Sequence, residues 1–111
     1  MADRAEALLA TRPRISVQVL NETLANCRRK AQLGWDDTTT FLSALRALCP
    51  VEDLTLETHD TGRALTERYG FSPYDAMIVA SALLAGCTTL WTEDMAAGLL
   101  VEGRLRMVNP F

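Results

Sequence analysis

Two carboxylates lie at the ends of predicted elements, where binding chemistry is often located. Ser72 and Pro73 are typical of the first positions of a helix, and Asp75 falls in its first turn, where the helix dipole favours a negative charge. Asp94 follows a strand predicted at residues 88–92, and open parallel sheets bind ligands beyond the carboxyl ends of their strands. We therefore expect Asp75 and Asp94 to face the same crevice.

A third acid, Glu22, lies on a longer predicted helix, on the side opposite Leu20. His59 is the only histidine, which excludes a histidine-rich metal site. Any metal bound by this chain must therefore be a hard cation held by carboxylate oxygens. Taken separately, each acid also has an ordinary interpretation, Glu22 as a solvated helix residue, Asp75 as a helix-capping acid and Asp94 as a turn residue.

The composition is typical of one globular domain, since the 111 residues are 49% hydrophobic and 23% charged. No apolar run approaches a membrane span and no signal peptide follows Met1, so we expect a cytoplasmic protein with no membrane association. The net charge of -3 argues against a generally basic nucleic-acid-binding surface, although it permits a locally basic rim. The three widely spaced cysteines predict reduced thiols rather than disulfides or a zinc site.

The elements that position these acids alternate between helix and strand, which predicts a parallel sheet covered on both faces. From Ala76 to Ala85 no charged residue appears, so the helix that begins at Pro73 is expected to lie in the core. The sequence pattern predicts helices at 3–11, 17–33, 37–48, 56–69 and 73–85, strands at 14–17, 51–54, 88–92 and 105–108, and a loop or single turn at 95–101.

Four segments carry a more specific signal. They are residues 15–22 (Ile-Ser-Val-Gln-Val-Leu-Asn-Glu), 69–80 (Tyr-Gly-Phe-Ser-Pro-Tyr-Asp-Ala-Met-Ile-Val-Ala), 92–95 (Thr-Glu-Asp-Met) and 108–111 (Val-Asn-Pro-Phe). Each segment alone is a weak motif. Their order and spacing across most of the chain resemble the PIN domain, and specifically the bacterial PIN toxins of the VapC type.

The resemblance implies a three-layer α/β/α fold with a mainly parallel sheet, formed by residues 1–111 as a single PIN-like domain. It also implies a ribonuclease that depends on Mg²⁺ or Mn²⁺, commonly forms a homodimer, and is neutralised by a small antitoxin that inserts a segment near the active site. The family's second, third and fourth acids correspond to Glu22, Asp75 and Asp94, and Thr92 matches the hydroxyl residue that often supports the site.

Metal chemistry is consistent with this correspondence. Several carboxylates brought together repel one another unless a cation neutralises them, and oxygen ligands favour magnesium or manganese. Such an ion can lower the pKa of bound water for attack on phosphorus. It would also connect an acidic protein to an anionic RNA substrate.

The front of the sequence departs from the family pattern. PIN domains begin with a hydrophobic strand in the middle of the sheet that ends in an Asp-Thr-Asn-like motif, whereas Met1 and Ala2 lead directly into the helix predicted at 3–11. Asp3 is no substitute, because nothing before it can form a strand. We therefore expect the first strand and one metal ligand to be missing. Either the chain is an incomplete version of a longer protein, or the place of the missing strand is filled by rearrangement or by pairing between chains.

Other interpretations remain open. The chain could be a non-catalytic PIN remnant that binds an antitoxin or its own copy, and binding without RNA cleavage in Mn²⁺ would select that alternative. A receiver-like phosphoacceptor domain is disfavoured, since the only lysine is Lys30 in mid-chain and no late lysine can contact an acyl phosphate. Arg28 and Arg29 precede Lys30 at a helix end, where cations suit the dipole, and contact with RNA phosphate is their alternative role.

Overall fold

The computed structural model describes residues 13–92, 95 and 97–109, and these residues form four helices and five short strands. The helix predicted at 3–11, and the residues Glu93 and Asp94, lie outside the described residues. The helices are α1 (Val17–Arg29), α2 (Trp35–Leu48), α3 (Leu56–Tyr69) and α4 (Pro73–Leu84), and the strands are β1 (Ile15–Ser16), β2 (Val51–Glu52), β3 (Thr89–Trp91), β4 (Leu100–Val101) and β5 (Leu105–Val108).

Helix α1 begins directly after β1 because Ser16 caps it. The hydroxyl oxygen of Ser16 accepts a hydrogen bond from the Val19 N–H at 3.2 Å, which satisfies one of the free donors of the first turn. The helix ends at Arg29, before the predicted limit near Leu33. The cap therefore places Glu22 less than two turns from the end of β1.

Helix α4 lies in the core, as the absence of charge along its length predicts. Its first turn is capped by the Ser72 hydroxyl, which accepts a hydrogen bond from the Asp75 N–H at 3.2 Å, and Pro73 occupies the first helical position. Ala76, Val79 and Ala80 are fully buried. Because the helix is packed on several sides, the position of Asp75 is determined by the surrounding fold.

Helix α3 packs along α4. Gly62 lies at a close contact between the two helices, because a Cβ atom at this position would lie 3.1 Å from the Met77 Sδ and 3.4 Å from the Ala76 carbonyl oxygen. Gly70 ends α3 in the left-handed region at φ 77°, a conformation that glycine adopts without steric cost. The turn at Gly70 returns the chain to the start of α4.

The strands form two separate sheets among the described residues. In the first sheet β1 pairs in parallel with β2, with Ile15 opposite Val51. In the second sheet the order is β3-β5-β4, where β3 runs parallel to β5 and β4 antiparallel to it. The predicted α/β architecture with a mainly parallel sheet is therefore confirmed, and no described strand lies between β1 and β3.

Strand β4 corrects the expectation of a loop or single turn at 95–101. Leu100 and Val101 pair with β5 through a tight turn in which Glu102 and Gly103 have φ values of 51° and 68°. The Arg104 N–H closes this turn by donating to the Val101 carbonyl oxygen at 3.0 Å. A two-residue strand has too little periodicity to be recognised from sequence.

The core lies between α3, α4 and the second sheet. Its buried side chains on the sheet are Val101, Leu105 and Met107, which pack with Leu65 of α3 and the inner face of α4. Cys27 and Cys49 are buried free thiols and Cys87 is a half-buried free thiol, in line with the predicted reduced state. None of the described helices has the length and apolar character required to cross a membrane.

Candidate functional site

A large cleft separates the two sheets. We define the intersheet cleft as the cavity of about 1130 Å³ that is lined by Ile15 and Ser16 of β1, residues 88–92 of β3 and its flanks, Glu22 of α1 and Asp75 of α4. Further lining comes from apolar side chains of the three helices that surround it. The cleft therefore combines an apolar interior with the carboxylates of Glu22 and Asp75, and Glu52 also lines it.

Glu22 and Asp75 are close enough to interact. Both side chains are half-buried. Burial raises the pKa of the Glu22 carboxyl, and the negative charge of Asp75 raises it further. The fold therefore brings together two acids that are far apart in the sequence, one supplied by α1 and the other by the first turn of α4.

No described basic side chain neutralises these two acids. The ion pairs among the described residues join Arg14 to Glu52 at 2.7 Å, Arg63 to Glu67 and Arg68 to Glu102, and none includes Glu22 or Asp75. Two negative charges at close range repel each other, and a bound cation would relieve this repulsion. The pair therefore provides an electrostatic environment that suits a positively charged ligand.

Thr92 lies at the end of the β3 ladder and also lines the cleft. Its N–H donates to the Val108 carbonyl oxygen at 2.9 Å, and its hydroxyl oxygen accepts a hydrogen bond from the Met95 N–H at 3.2 Å. Thr92 thus connects β3 to the segment that contains Asp94. Asp94 itself is outside the described residues, so its position relative to Glu22 and Asp75 stays a prediction.

The described residues do not supply enough ligand atoms to hold a metal ion without the help of water molecules. In residues 13–92, 95 and 97–109, no three His, Cys, Asp or Glu side chains are grouped so that they could hold a metal ion. Glu22 and Asp75 supply oxygen donors of the kind that Mg²⁺ and Mn²⁺ prefer, and Mg²⁺ commonly binds through one or two carboxylates with several waters. The two carboxylates present fit such a partly hydrated ion.

The basic residues at the end of α1 have different surroundings. Arg28 donates a hydrogen bond to the Leu33 carbonyl oxygen at 2.7 Å and stacks over Trp35, with its guanidinium carbon 3.9 Å from the ring centroid. Lys30 lines the cleft. Lys30 therefore lies beside the cleft, where it could contact RNA phosphate. Arg28 is instead held by Leu33 and Trp35, just beyond the end of α1.

Sequence reasoning did not identify the Arg14–Glu52 ion pair, whose two residues also line the cleft. Arg14 directly precedes β1 and Glu52 lies in the neighbouring strand β2, and no local motif connects them. The only available signal was the alternation of strands and helices, which predicts a parallel sheet without giving the register. The register is what places the two side chains within reach.

Comparison with known proteins gives one family and one fold. A family model described as PIN domain matches residues 1–97. A solved structure described as a toxin-antitoxin complex from Klebsiella pneumoniae superposes with a TM-score of 0.74 at 20% identity, covering 98% of this chain and 85% of that chain. No curated protein sequence gives a significant match. The structural likeness supports the three-layer α/β arrangement predicted for this family.

Proposed function

The chain belongs to the PIN-domain family, and from this premise we propose that it is a metal-dependent endoribonuclease of a toxin-antitoxin system. Residues 1–111 would act as a single PIN-like domain. The observation that carries the proposal is the convergence of Glu22 and Asp75 in one cleft, where the charge of Asp75 raises the pKa of the Glu22 carboxyl.

In this proposal Glu22, Asp75 and Asp94 hold Mg²⁺ or Mn²⁺. Such a cation, when bound, supplies Lewis-acid chemistry that polarises a phosphoryl oxygen and lowers the pKa of coordinated water. Glu22 and Asp75 would direct their oxygens toward the cation from two different helices. Because a bound cation favours the ionised form of a carboxyl group, it would lower the pKa of Glu22 from its raised value.

The other residues of the cleft have supporting roles in this proposal. Thr92 would position the segment that carries Asp94 through its hydrogen bond to the Met95 N–H. Lys30, which lines the same cleft, would attract the RNA phosphodiester backbone as a point charge. The apolar interior would limit the access of bulk water to the carboxylates, which strengthens their electrostatic effects.

The proposed cellular setting follows from the family. The substrate would be RNA, the partner a cognate antitoxin, and the protein a cytoplasmic homodimer without membrane association. The description of the Klebsiella pneumoniae structure as a toxin-antitoxin complex supports the choice of partner. These assignments are tested by activity, by copurification with a partner, and by the mass of the particle in solution.

The decisive experiment compares RNA cleavage by the wild-type chain and by Asp75→Asn in Mn²⁺. We expect the substitution to lower the cleavage rate by at least about 100-fold, since even the second-layer partners of metal ligands typically contribute 10- to 100-fold. Asp36→Asn is a matched control, because Asp36 is an exposed acid in the first turn of α2 and does not line the cleft. Equal loss of cleavage in both variants, or none in either, would contradict the assignment.

A second candidate is a non-catalytic PIN module that binds an antitoxin or a second copy. It is favoured by the incomplete set of metal ligands in the described residues. Calorimetric titration with Mn²⁺ separates the two functions. Mn²⁺ binding that Asp75→Asn abolishes, together with metal-dependent RNA cleavage, supports the nuclease. Antitoxin binding without either property supports the module.

A further inference from the structure

An exposed aromatic ring lies at the turn between α1 and α2. Trp35 begins α2 and is 62% exposed. The guanidinium carbon of Arg28 lies 3.9 Å from the centroid of its ring, which is a cation–π contact. We define the Trp35 platform as this pair of stacked side chains, Trp35 and Arg28. The ring is therefore held in place by a neighbour without being buried in the core.

Two hydrogen bonds hold the platform in this position. The Arg28 Nη1 donates to the Leu33 carbonyl oxygen at 2.7 Å. The Leu33 N–H in turn donates to the Cys27 carbonyl oxygen at 2.8 Å, and Gln32 has a φ of 52°, as is typical of a helix end closed by a left-handed residue. A ring fixed in this way loses little conformational entropy when a ligand stacks on it.

The chain beside the platform is positively charged. Arg29 and Lys30 are exposed and directly follow Arg28 at the end of α1. None of the ion pairs among the described residues includes any of these three cations. The next two residues of α2 after the ring, Asp36 and Asp37, are exposed acids. Successive residues of a helix are about 100° apart, so these acids project from other sides of α2 than the ring does. The platform therefore combines a flat aromatic surface with neighbouring cations.

This combination of groups suits a single-stranded nucleic acid. Proteins bind such strands through cations that follow the phosphate backbone and through aromatic or arginine side chains on which bases stack. An acidic peptide would use the cations but would not require the exposed face of an indole ring. Bases in a duplex are already stacked on one another, so only an unpaired base can reach the platform.

The platform lies within reach of the acid pair along one nucleic-acid strand. Lys30 and Leu33, on either side of the turn, line the same intersheet cleft as Glu22 and Asp75. Arg28 follows Glu22 by six residues on α1, which places it about 9 Å further along the helix axis at about 1.5 Å per residue. At about 3.4 Å per nucleotide of a stacked strand, this distance corresponds to about three nucleotides. A strand whose phosphate lies at the acid pair can therefore place a nearby base on the platform.

We propose that the Trp35 platform stacks one unpaired base of single-stranded RNA, about three nucleotides from the scissile phosphate, while Arg29 and Lys30 contact neighbouring phosphates. The inference rests on the proposed function, because it takes RNA as the substrate. It goes beyond that function by assigning a residue that binds a base rather than a phosphate. The platform would restrict cleavage to RNA whose bases are unpaired on one side of the cleaved bond.

Binding is tested by fluorescence anisotropy in EDTA with a fluorescein-labelled RNA octamer of adenosine. The matched probe is the abasic octamer, which carries the same riboses and phosphates without bases. Trp35→Leu should weaken binding of the adenosine octamer by at least about fivefold, the lower end of what one stacked base contributes. The same variant should bind the abasic octamer as the wild type does, and Trp35→Phe, which retains a ring, should keep most of the affinity for adenosine. Equal effects of Trp35→Leu on both octamers, or no effect on either, would overturn the proposal.

Tryptophan emission reports on the ring directly. Trp35 and Trp91 are the two tryptophans of the chain, so in Trp91→Phe the tryptophan emission comes from Trp35 alone. The unlabelled adenosine octamer should quench this emission, whereas the abasic octamer and an octapeptide of glutamate should not. Quenching by the glutamate octapeptide to the same extent would assign the ring to an acidic protein and overturn the proposal.

The salt dependence of binding tests the neighbouring cations. Arg29→Gln and Lys30→Gln should each reduce the slope of log affinity against log salt concentration by about 0.7, the value for one phosphate contact on a single strand. Arg46→Gln, in the last turn of α2, is the matched control and should leave the slope unchanged. The wild-type slope in both Arg29→Gln and Lys30→Gln would contradict the phosphate contacts.

Cleavage kinetics separate this inference from the nuclease assignment. Trp35→Leu should raise the KM for RNA cleavage in Mn²⁺ with little change in kcat, because the platform binds a base remote from the reacting phosphate. Asp75→Asn should abolish cleavage and still bind the adenosine octamer through Trp35. Unchanged cleavage in Asp75→Asn refutes the nuclease assignment, whereas unchanged KM and affinity in Trp35→Leu refute the platform alone.

Discussion

Substituting Gly62 by alanine places a methyl group at a close contact between α3 and α4. The added Cβ would lie 3.1 Å from the Met77 Sδ, closer still to the Met77 Cε, and 3.4 Å from the Ala76 carbonyl oxygen. The contact with Ala76 is ordinary, so Met77 alone must move. The substitution is informative for the site because Met77 follows Asp75 by only two residues on α4.

Two opposing free energies determine the result. Alanine stabilises a helix interior by about 1 kcal/mol relative to glycine, whereas overpacking a core typically costs about 1–3 kcal/mol. The flexible thioether of Met77 reduces this cost. We therefore expect Gly62→Ala to lower the free energy of unfolding by about 0–2 kcal/mol.

A double-mutant cycle isolates the contact. In a Met77→Ala background the collision is absent, so Gly62→Ala should raise the free energy of unfolding by about 1 kcal/mol. The coupling between the two substitutions is then about 1–3 kcal/mol, within the usual range for residues in contact. Urea unfolding followed by circular dichroism measures all four proteins, provided that the slope with urea is unchanged.

The matched control is Ala64→Gly, at an exposed position of the same helix, which should cost about 1 kcal/mol through helix propensity alone. The reasoning is wrong if Gly62→Ala stabilises the wild-type and Met77→Ala proteins equally. In that case α3 and α4 do not approach closely at Gly62.

Three further predictions concern the acid pair and the turn beside the core. Folding raises the pKa of the Glu22 carboxyl above its ordinary value of 4.5. The stability linked to this shift is therefore fully present below pH 4.5 and is lost as the pH rises through the raised pKa. Glu22→Gln should remove this pH dependence of the free energy of unfolding, which urea unfolding at a series of pH values measures. Asp75→Asn should lower the pKa of Glu22 only part of the way to its ordinary value, because burial is the larger cause, and a carbon-13 NMR titration showing no change would refute their proximity. Tyr69→Phe removes the hydroxyl oxygen that accepts from the Glu102 N–H at 3.0 Å and should cost about 0.5–1.5 kcal/mol in urea unfolding, whereas Tyr74→Phe, at a 67% exposed residue, should have no measurable effect.

The helix boundaries that hold the site were largely predictable, because their signals are local. Ser72 and Pro73 mark the start of α4, and Gly70 marks the end of α3, through hydrogen bonds and backbone angles that involve neighbouring residues. The uncharged length of α4 predicted its burial. The start of α2 was predicted less accurately, since the helix was expected from residue 37 but begins at Trp35, after the cap position Gly34.

The short strands were harder to predict, because two or three residues carry little periodicity. The antiparallel strand β4 was missed, since its pairing depends on a turn in which Glu102 adopts a positive φ that glutamate rarely favours. The separation of β1 and β3 into different sheets was not predicted, since the family resemblance indicated only that a strand from the middle of the sheet would be missing. No local pattern in either strand shows which of its edges has no partner among the described residues.

The sequence by itself determined which residues could supply oxygen ligands, where the helices that carry Glu22 and Asp75 begin, and which helix is buried. These properties are predictable because caps, charges and apolar runs act over a few neighbouring residues. The tertiary structure alone decided that Glu22 and Asp75 interact across one cleft and that β1 and β3 lie in different sheets. The physical reason is that strand register and helix packing depend on contacts between distant segments, whose energies are not contained in any single stretch of the chain.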